Sequence, residues 1–182
     1  MVLTPHEYAK VQNLKYLDIL NHIPKRRFSQ NGGCSLKCSD GDTDMQAYHR
    51  EAVSHRPHSV ALFGGPLLIV PSFRNYNEVF ADLIMDNLIA GMMSKETSTF
   101  FGYFDYPCAM AKKYHHSVDD VFHMIPEAYD VLTTRYRMKN IESFFHIKRI
   151  NRGGYEEQSS YLIDMKKLRA FLLSREVCLE GR

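Results

Sequence analysis

Apolar residues recur along this chain in two ways: as short unbroken runs, and as longer segments in which they return every three or four positions. Runs rich in β-branched and aromatic residues are typical of strands, and they predict strands at 59–63, 97–104, 143–150 and 159–164, with a weaker one at 34–38. Helical spacing predicts helices at 6–22, 75–93, 117–137 and 165–174. This alternation indicates an α/β fold: a central, mostly parallel β-sheet flanked by helices, with a C-terminal hairpin and helix.

Two local signals refine this pattern. Pro126 falls inside the helix predicted at 117–137, and we expect it to kink or divide that helix because proline removes a backbone hydrogen bond. Gly64 and Gly65, followed by proline, predict a tight turn after the strand at 59–63. A phosphate-binding loop is the weaker interpretation, since the lysine and the serine or threonine of such a loop are missing.

Length and composition place limits on the class of protein. We expect a single domain over residues 1–182, of which 1–28 form an N-terminal helical arm. The net charge of +2 implies no strong attraction to nucleic acid or membrane, and no apolar run reaches the roughly 20 residues of a membrane span. The N-terminus lacks the pattern of a secretory signal, and four cysteines are too few for a disulfide scaffold in a chain of this size. We therefore expect a cytoplasmic protein.

Two cysteine and aspartate pairs lie where the pattern predicts the ends of strands. Cys38 and Asp40 close the strand at 34–38, and Asp105 and Cys108 follow the strand at 97–104. Ligands of mostly parallel sheets bind at the carboxyl ends of the strands, so we expect these side chains to converge if the two strands are neighbours. Thiolates and carboxylates in a tetrahedral shell suit zinc. The sequence therefore predicts a zinc site, and its function depends on whether one position stays open for water.

These motifs, in this order, resemble the β-class carbonic anhydrases. That family has a Cys-x-Asp-x-Arg motif after its first sheet strand, then a strand that ends in a glycine-containing turn, and later a His-x-x-Cys motif. Residues 38–42 (CSDGD) match the first motif in the cysteine and the aspartate, and 58–65 (HSVALFGG) resemble the second strand and its turn. Residues 105–110 (DYPCAM) resemble the third block, including the small residue and the methionine after the cysteine.

The resemblance implies a β-carbonic-anhydrase-like fold and a zinc-dependent lyase that acts on carbon dioxide or a related small electrophile through a metal-bound hydroxide. It places the metal ligands at Cys38, Asp105 and Cys108, and it makes Asp40 the catalytic residue, which accepts a hydrogen bond from that hydroxide. It also implies a homodimer or higher homo-oligomer. The expected partner is a small-molecule substrate, carbon dioxide or bicarbonate, and neither nucleic acid nor membrane.

The chain departs from the family at two positions. Asp105 stands where the family has a histidine, and Asp42 stands where it has the arginine that holds the aspartate away from the metal. Three anionic ligands make zinc a weaker acid, so its water should deprotonate at higher pH. Without the arginine, Asp40 can move onto the metal, and the closed shell that results is structural rather than catalytic. The arginines that could replace the missing one are Arg50, Arg56 and Arg74.

These departures leave a second function open: a zinc-binding structural or interaction protein of the same fold that has lost hydratase activity. A third interpretation is nucleic-acid binding, because basic residues between 135 and 152 surround Phe144 and Phe145. The near-neutral net charge of the chain argues against it.

Two further cysteines and three histidines complete the candidate residues. Cys34 is either a further thiolate ligand or a small packed residue, and Cys178 is expected to be a bystander. His115, His116 and His123 follow the candidate site in sequence. They either shuttle protons for it or are solvent-exposed or helix-capping residues.

Overall fold

A computed structural model describes residues 2–22, 33–39 and 58–180 of the chain. Within these residues a single sheet contains all the strands. They are β1 (Asn21–His22), β2 (Cys34–Cys38), β3 (His58–Leu62), β4 (Thr99–Tyr106), β5 (Asn140–Ile150) and β6 (Glu156–Leu162). Their order across the sheet is β1-β6-β5-β4-β2-β3.

The sheet is mostly parallel. Strands β5, β4, β2 and β3 pair in parallel with their neighbours, while β6 is antiparallel to β5, and β1 is antiparallel to β6. The antiparallel pair β5–β6 is the predicted C-terminal hairpin. The α/β class, the parallel sheet and the hairpin are therefore confirmed. The more specific β-carbonic-anhydrase-like fold stays a prediction.

The described residues also form helices before, between and after these strands. They are α1 (Pro5–Asn13), α2 (Glu78–Ser94), α3 (Ala109–Lys113), α4 (Val118–Thr134) and α5 (Met165–Glu180), with 3₁₀ turns at Tyr16–Ile19 and Gly65–Ile69. Helix α4 begins at a capping box, in which Ser117 and Asp120 each bond the other's backbone N–H. It runs through the buried Pro126 without being divided. Among the described residues, none of the helices is both long enough and apolar enough to traverse a bilayer.

The predicted helix over 6–22 is wrong in its second half. Helix α1 ends at Asn13, Lys15 adopts a left-handed φ of 64°, and the chain turns back toward the core. The cause is Tyr16, which is fully buried, stacks on Phe122 with ring centroids 4.1 Å apart, and donates a hydrogen bond of 2.6 Å to Asp119. Tertiary packing outweighs the helical spacing here. The predicted arm over 1–28 is thus helical only in part, and residues 23–28 lie outside the described residues.

Both faces of the central strands are apolar. On β4, Phe100 and Phe104 face the main core together with residues of the helices, whereas Phe101 and Tyr103 point to the opposite face. There they form a second cluster with Phe144 of β5, and the Tyr103 and Phe144 rings stack at 5.0 Å. A strand buried on both faces needs a continuous apolar run, which explains the four aromatic residues of β4 between positions 100 and 104.

The predicted tight turn after β3 is present, and it brings backbone close to β2. Gly64 and Gly65 both have positive φ, of 107° and 52°. A Cβ atom built on Gly65 would lie 2.6 Å from the backbone nitrogen of Cys38. Glycine is required at position 65 for its conformation and for this close approach.

The first prediction concerns this turn. We expect Gly65→Ala to lower the free energy of unfolding by about 3 kcal/mol or more, because the new methyl group clashes with immobile backbone. Gly154→Ala is the matched control: its φ is also positive, at 82°, but nothing lies within 4 Å of the added Cβ. The control should cost only about 1 kcal/mol. Equal losses for the two variants in chemical denaturation would contradict the close approach at Gly65.

Candidate metal centre

Three of the predicted site residues meet at one edge of the sheet. Cys38 is the last residue of β2, Asp105 lies near the end of β4, and Cys108 follows that strand directly before α3. One Sγ or carboxylate oxygen from each residue lies within 4.8 Å of the corresponding atoms of the other two. The three form a group that could hold a metal ion. Asp105, which was predicted to follow the strand, is still paired within β4.

The topology explains why they meet. Strand β2 pairs in parallel with β4, so their carboxyl ends lie at the same edge of the sheet. From β2 the chain continues to β3 on one side, and from β4 it continues to β5 on the other. Two neighbouring parallel strands whose connections leave in opposite directions form a topological switch point, where open α/β sheets bind their ligands.

The site is mostly closed to solvent. Asp105 is 5% exposed and Cys108 is 1% exposed, whereas Cys38 is partly exposed. The Gly64 backbone N–H donates a hydrogen bond of 3.3 Å to Cys38 Sγ, which favours the charged thiolate. The tight turn after β3 therefore contributes a polar contact to the site, although it supplies no ligand.

The electrostatics of the group favour a cation. The pKa of Cys108 is raised well above its usual range, first by a hydrogen bond with Cys38, then by burial and by the charge of Asp105. All three causes penalise a second or third negative charge in a small buried volume. A bound divalent cation removes this conflict, because it lets both thiols and the carboxyl group ionise together.

The donor atoms fit zinc. Zinc takes thiolate and carboxylate ligands in a tetrahedral shell, in which sulfur ligands about 2.3 Å from the metal are roughly 3.8 Å apart. The three ligand atoms lie within 4.8 Å of one another, so small side-chain movements would place them at three corners of such a shell. Three ligands leave the fourth tetrahedral position for water or for a further residue.

Several predicted site residues lie outside the described residues: Asp40, Asp42, Arg50 and Arg56. The proposed catalytic role of Asp40 therefore stays a prediction, as does the effect of having an aspartate at position 42. Arg74, the third candidate arginine, is described. Its side chain is exposed, and its backbone N–H bonds Nε2 of His116 at 3.4 Å.

The structure separates Cys34 from the metal centre. It lies at the opposite end of β2 from Cys38, a distance of about 13 Å along an extended strand. Its side chain is fully buried in the core, and burial raises the pKa of its thiol to about 11. Cys34 is thus a packed residue, which is one of the two interpretations that the sequence allowed. Cys178 lies in α5, in a part of that helix whose side chains are not described.

The histidines after the site have ordinary contacts. His115 is exposed, with a φ of 61° just after α3. The His116 ring lies 5.2 Å from that of Phe73, and His123 Nε2 lies 3.9 Å from Asp119 of the preceding helical turn. The metal-binding group identified among the described residues contains no histidine.

Two arginines of the basic segment between 135 and 152 are paired within the protein, and its two phenylalanines are buried. Phe144 and Phe145 are fully buried, so neither ring is accessible for stacking on a base. Arg135 pairs with two carboxylates of α2, and Arg149 pairs with Glu157 at 3.1 Å.

Sequence reasoning missed two residues near the centre. One is Gly64 as a backbone donor to Cys38, and the other is His146, which is the register partner of Asp105 in β5. A single histidine in an apolar strand carries no local signal. Only the register of β4 against β5 relates it to the site.

Comparison with known proteins gives no match: no family model, no curated protein and no solved structure matches this chain.

The second prediction tests the ligands. We expect Cys108→Ser to lower zinc affinity by more than about 100-fold, because even partners that only support a ligand cost 10- to 100-fold when removed. Cys34→Ser is the matched control, since it makes the same exchange at a buried cysteine of β2 outside the group. Elemental analysis and chelator competition measure both variants. Equal zinc in wild type and Cys108→Ser would remove the site.

The third prediction concerns pH. Because the pKa of Cys108 is raised in the metal-free protein, its thiol is protonated at neutral pH, and zinc must displace that proton. Zinc affinity should therefore rise with pH, by roughly 10-fold per unit for one displaced proton and roughly 100-fold for two. Chelator competition, measured about every half pH unit between pH 6 and 8, gives the dependence of zinc affinity on pH. An affinity independent of pH would show that the thiols do not bind the metal as thiolates.

Proposed function

We propose that this protein is a zinc-dependent, carbonic anhydrase-like lyase that hydrates carbon dioxide or a related small electrophile. The observation that supports the proposal is the meeting of Cys38, Asp105 and Cys108 at the ends of two neighbouring parallel strands. These residues come from two of the three sequence blocks that resemble the β-class carbonic anhydrases. The remaining block, residues 58–65, contributes Gly64, whose backbone N–H bonds Cys38.

Each residue has a defined part in this proposal. Cys38, Asp105 and Cys108 hold the metal, and the Gly64 N–H stabilises the Cys38 thiolate. Zinc in such a site lowers the pKa of bound water toward neutrality and so supplies a nucleophile at moderate pH. Burial of Asp105 and Cys108 keeps competing water from their side of the site. Asp40, two residues after Cys38, is the proposed catalytic residue, which orients the attacking water by accepting its hydrogen bond.

The ligand charges set the expected pH range. Two thiolates and a carboxylate bring three negative charges, one more than the family's two cysteines and one histidine. The greater donated charge weakens zinc as a Lewis acid. We therefore propose an activity that rises toward alkaline pH.

One observation favours the alternative function, a structural zinc protein of this fold. Asp105 and Cys108 are at most 5% exposed, and such burial is typical of a closed structural shell, whereas a catalytic site keeps a position open to substrate. In that case zinc contributes to folding, and its removal lowers stability without any loss of activity.

The fourth prediction separates the two functions. Protein of measured zinc content should accelerate carbon dioxide hydration above the buffer rate, increasingly so at higher pH, in a stopped-flow assay with a pH indicator. Cys108→Ser should abolish the acceleration, while Cys34→Ser should retain it. Wild-type protein that carries a full equivalent of zinc, melts at lower temperature after chelation and shows no rate above buffer would reject the enzyme and support the structural role.

A further inference from the structure

Cys38 and Cys108 form a dithiol at the carboxyl ends of β2 and β4. Their Sγ atoms lie within 4.8 Å of each other, and a hydrogen bond joins the two thiol groups. Neither cysteine is in a disulfide. Because a disulfide bond is about 2 Å long, only a short approach separates the two sulfur atoms from a covalent link. The pair therefore has a second chemistry besides metal binding.

The backbone at the pair allows this approach. Strands β2 and β4 are paired as far as Lys37 and Tyr103, so Cys38 lies one residue beyond their last pair. Cys108 lies outside β4, between Tyr106 at the end of that strand and the start of α3. Cys108 can therefore move toward Cys38 without a change in the register of β2 against β4.

The two cysteines differ in their access to solvent. Cys38 is partly exposed, whereas Cys108 is 1% exposed. An oxidant that arrives from solvent meets Cys38 first, and Cys108 lies behind it as the second thiol. An accessible cysteine beside a second, resolving cysteine is the usual arrangement of a redox-sensitive pair.

We infer that Cys38 and Cys108 are a modification site, at which hydrogen peroxide oxidises the metal-free protein to a Cys38–Cys108 disulfide that cannot hold zinc. In the first step the Cys38 sulfur attacks one peroxide oxygen: an S–O bond forms, the O–O bond breaks, and water leaves. The Cys108 sulfur then attacks the resulting sulfenic acid: the S–S bond forms, the S–O bond breaks, and the hydroxyl group leaves as water with the Cys108 proton. Two thiols and one peroxide thus give one disulfide and two water molecules.

The disulfide and the metal exclude each other. The sulfur atoms of a disulfide carry no negative charge, so Asp105 alone would remain of the three ligands. Zinc sites in proteins need three or four ligands. Conversely, bound zinc engages both thiolates and so withdraws them from peroxide. This exclusion rests on the metal centre of the proposed function, but not on its lyase activity.

The fifth prediction compares zinc-free and zinc-loaded wild-type protein in hydrogen peroxide. The zinc-free protein should lose the mass of two hydrogen atoms, and peptide mapping without reductant should find the Cys38 and Cys108 peptides joined. Its zinc content after reconstitution should fall from about one equivalent to almost none, and a dithiol reductant should restore it. The zinc-loaded protein should form the disulfide at least about 10-fold more slowly.

Three results of this comparison would overturn the inference. The first is zinc-free protein in which Cys38 and Cys108 stay unlinked after peroxide treatment. The second is linked protein that binds zinc as tightly as the reduced protein does. The third is an equal rate of disulfide formation with and without zinc.

Serine variants test the order of the two steps. Cys108→Ser lacks the resolving thiol, so dimedone present during oxidation should trap a sulfenic acid at Cys38. Cys38→Ser should give no adduct at Cys108, which is buried. Cys34→Ser is the matched control, since it removes a buried thiol at the opposite end of β2, and it should form the disulfide at the wild-type rate. Loss of the disulfide in Cys34→Ser would overturn the assignment.

The outcomes also distinguish this inference from the proposed function. Wild-type protein that binds zinc but forms no disulfide in peroxide overturns the inference alone. Zinc-loaded protein that does not hydrate carbon dioxide, but is oxidised at Cys38 and Cys108 once its zinc is removed, overturns the lyase alone. Wild-type protein that binds no zinc overturns both.

Discussion

The parallel pairing of β2 with β4 is the constraint on which the candidate site depends. In this register Lys37 lies opposite Tyr103, so Cys38 arrives at the edge of the sheet just where Asp105 and Cys108 do. A shift of one residue along β2 would turn Cys38 to the other face. The register is held by core residues, since Leu36 and the neighbouring aromatic residues of β4 are fully buried. The packing that fixes the strand register therefore also determines which side chains meet at the candidate site.

The site combines three acidic groups in a small, mostly buried volume. A hydrogen bond with Cys38, burial and the charge of Asp105 each raise the pKa of the Cys108 thiol. Burying several negative charges close together costs free energy unless a positive charge compensates for them. A divalent ion does so, and the same negative charge that attracts the ion weakens it as a Lewis acid. The same three side chains are therefore compatible with either a catalytic or a structural site for such an ion.

The two faces of the sheet carry different groups of residues. One face carries the main core, including the helical residues that pack on it. The opposite face carries the aromatic cluster around Tyr103 and Phe144. Asp105, His146 and Ser160 lie in register across β4, β5 and β6. The glycine turn after β3 joins the core to the site, because Gly65 packs against the Cys38 backbone and Gly64 bonds its sulfur. Changes in the turn therefore affect both stability and ligand geometry.

Most of the order of elements, the α/β class and the mostly parallel sheet followed from the sequence, because periodicity is a local property. The grouping of Cys38, Asp105 and Cys108 depended on a resemblance and on two strands being neighbours, and the pairing of β2 with β4 decided it. The end of α1 was decided by tertiary contacts, since those of Tyr16 with Phe122 and Asp119 join segments more than a hundred residues apart. The place of His146 beside Asp105 was likewise decided by tertiary structure, through the register of β4 against β5. Register arises from packing on both faces of the sheet, and no local pattern in the chain contains it.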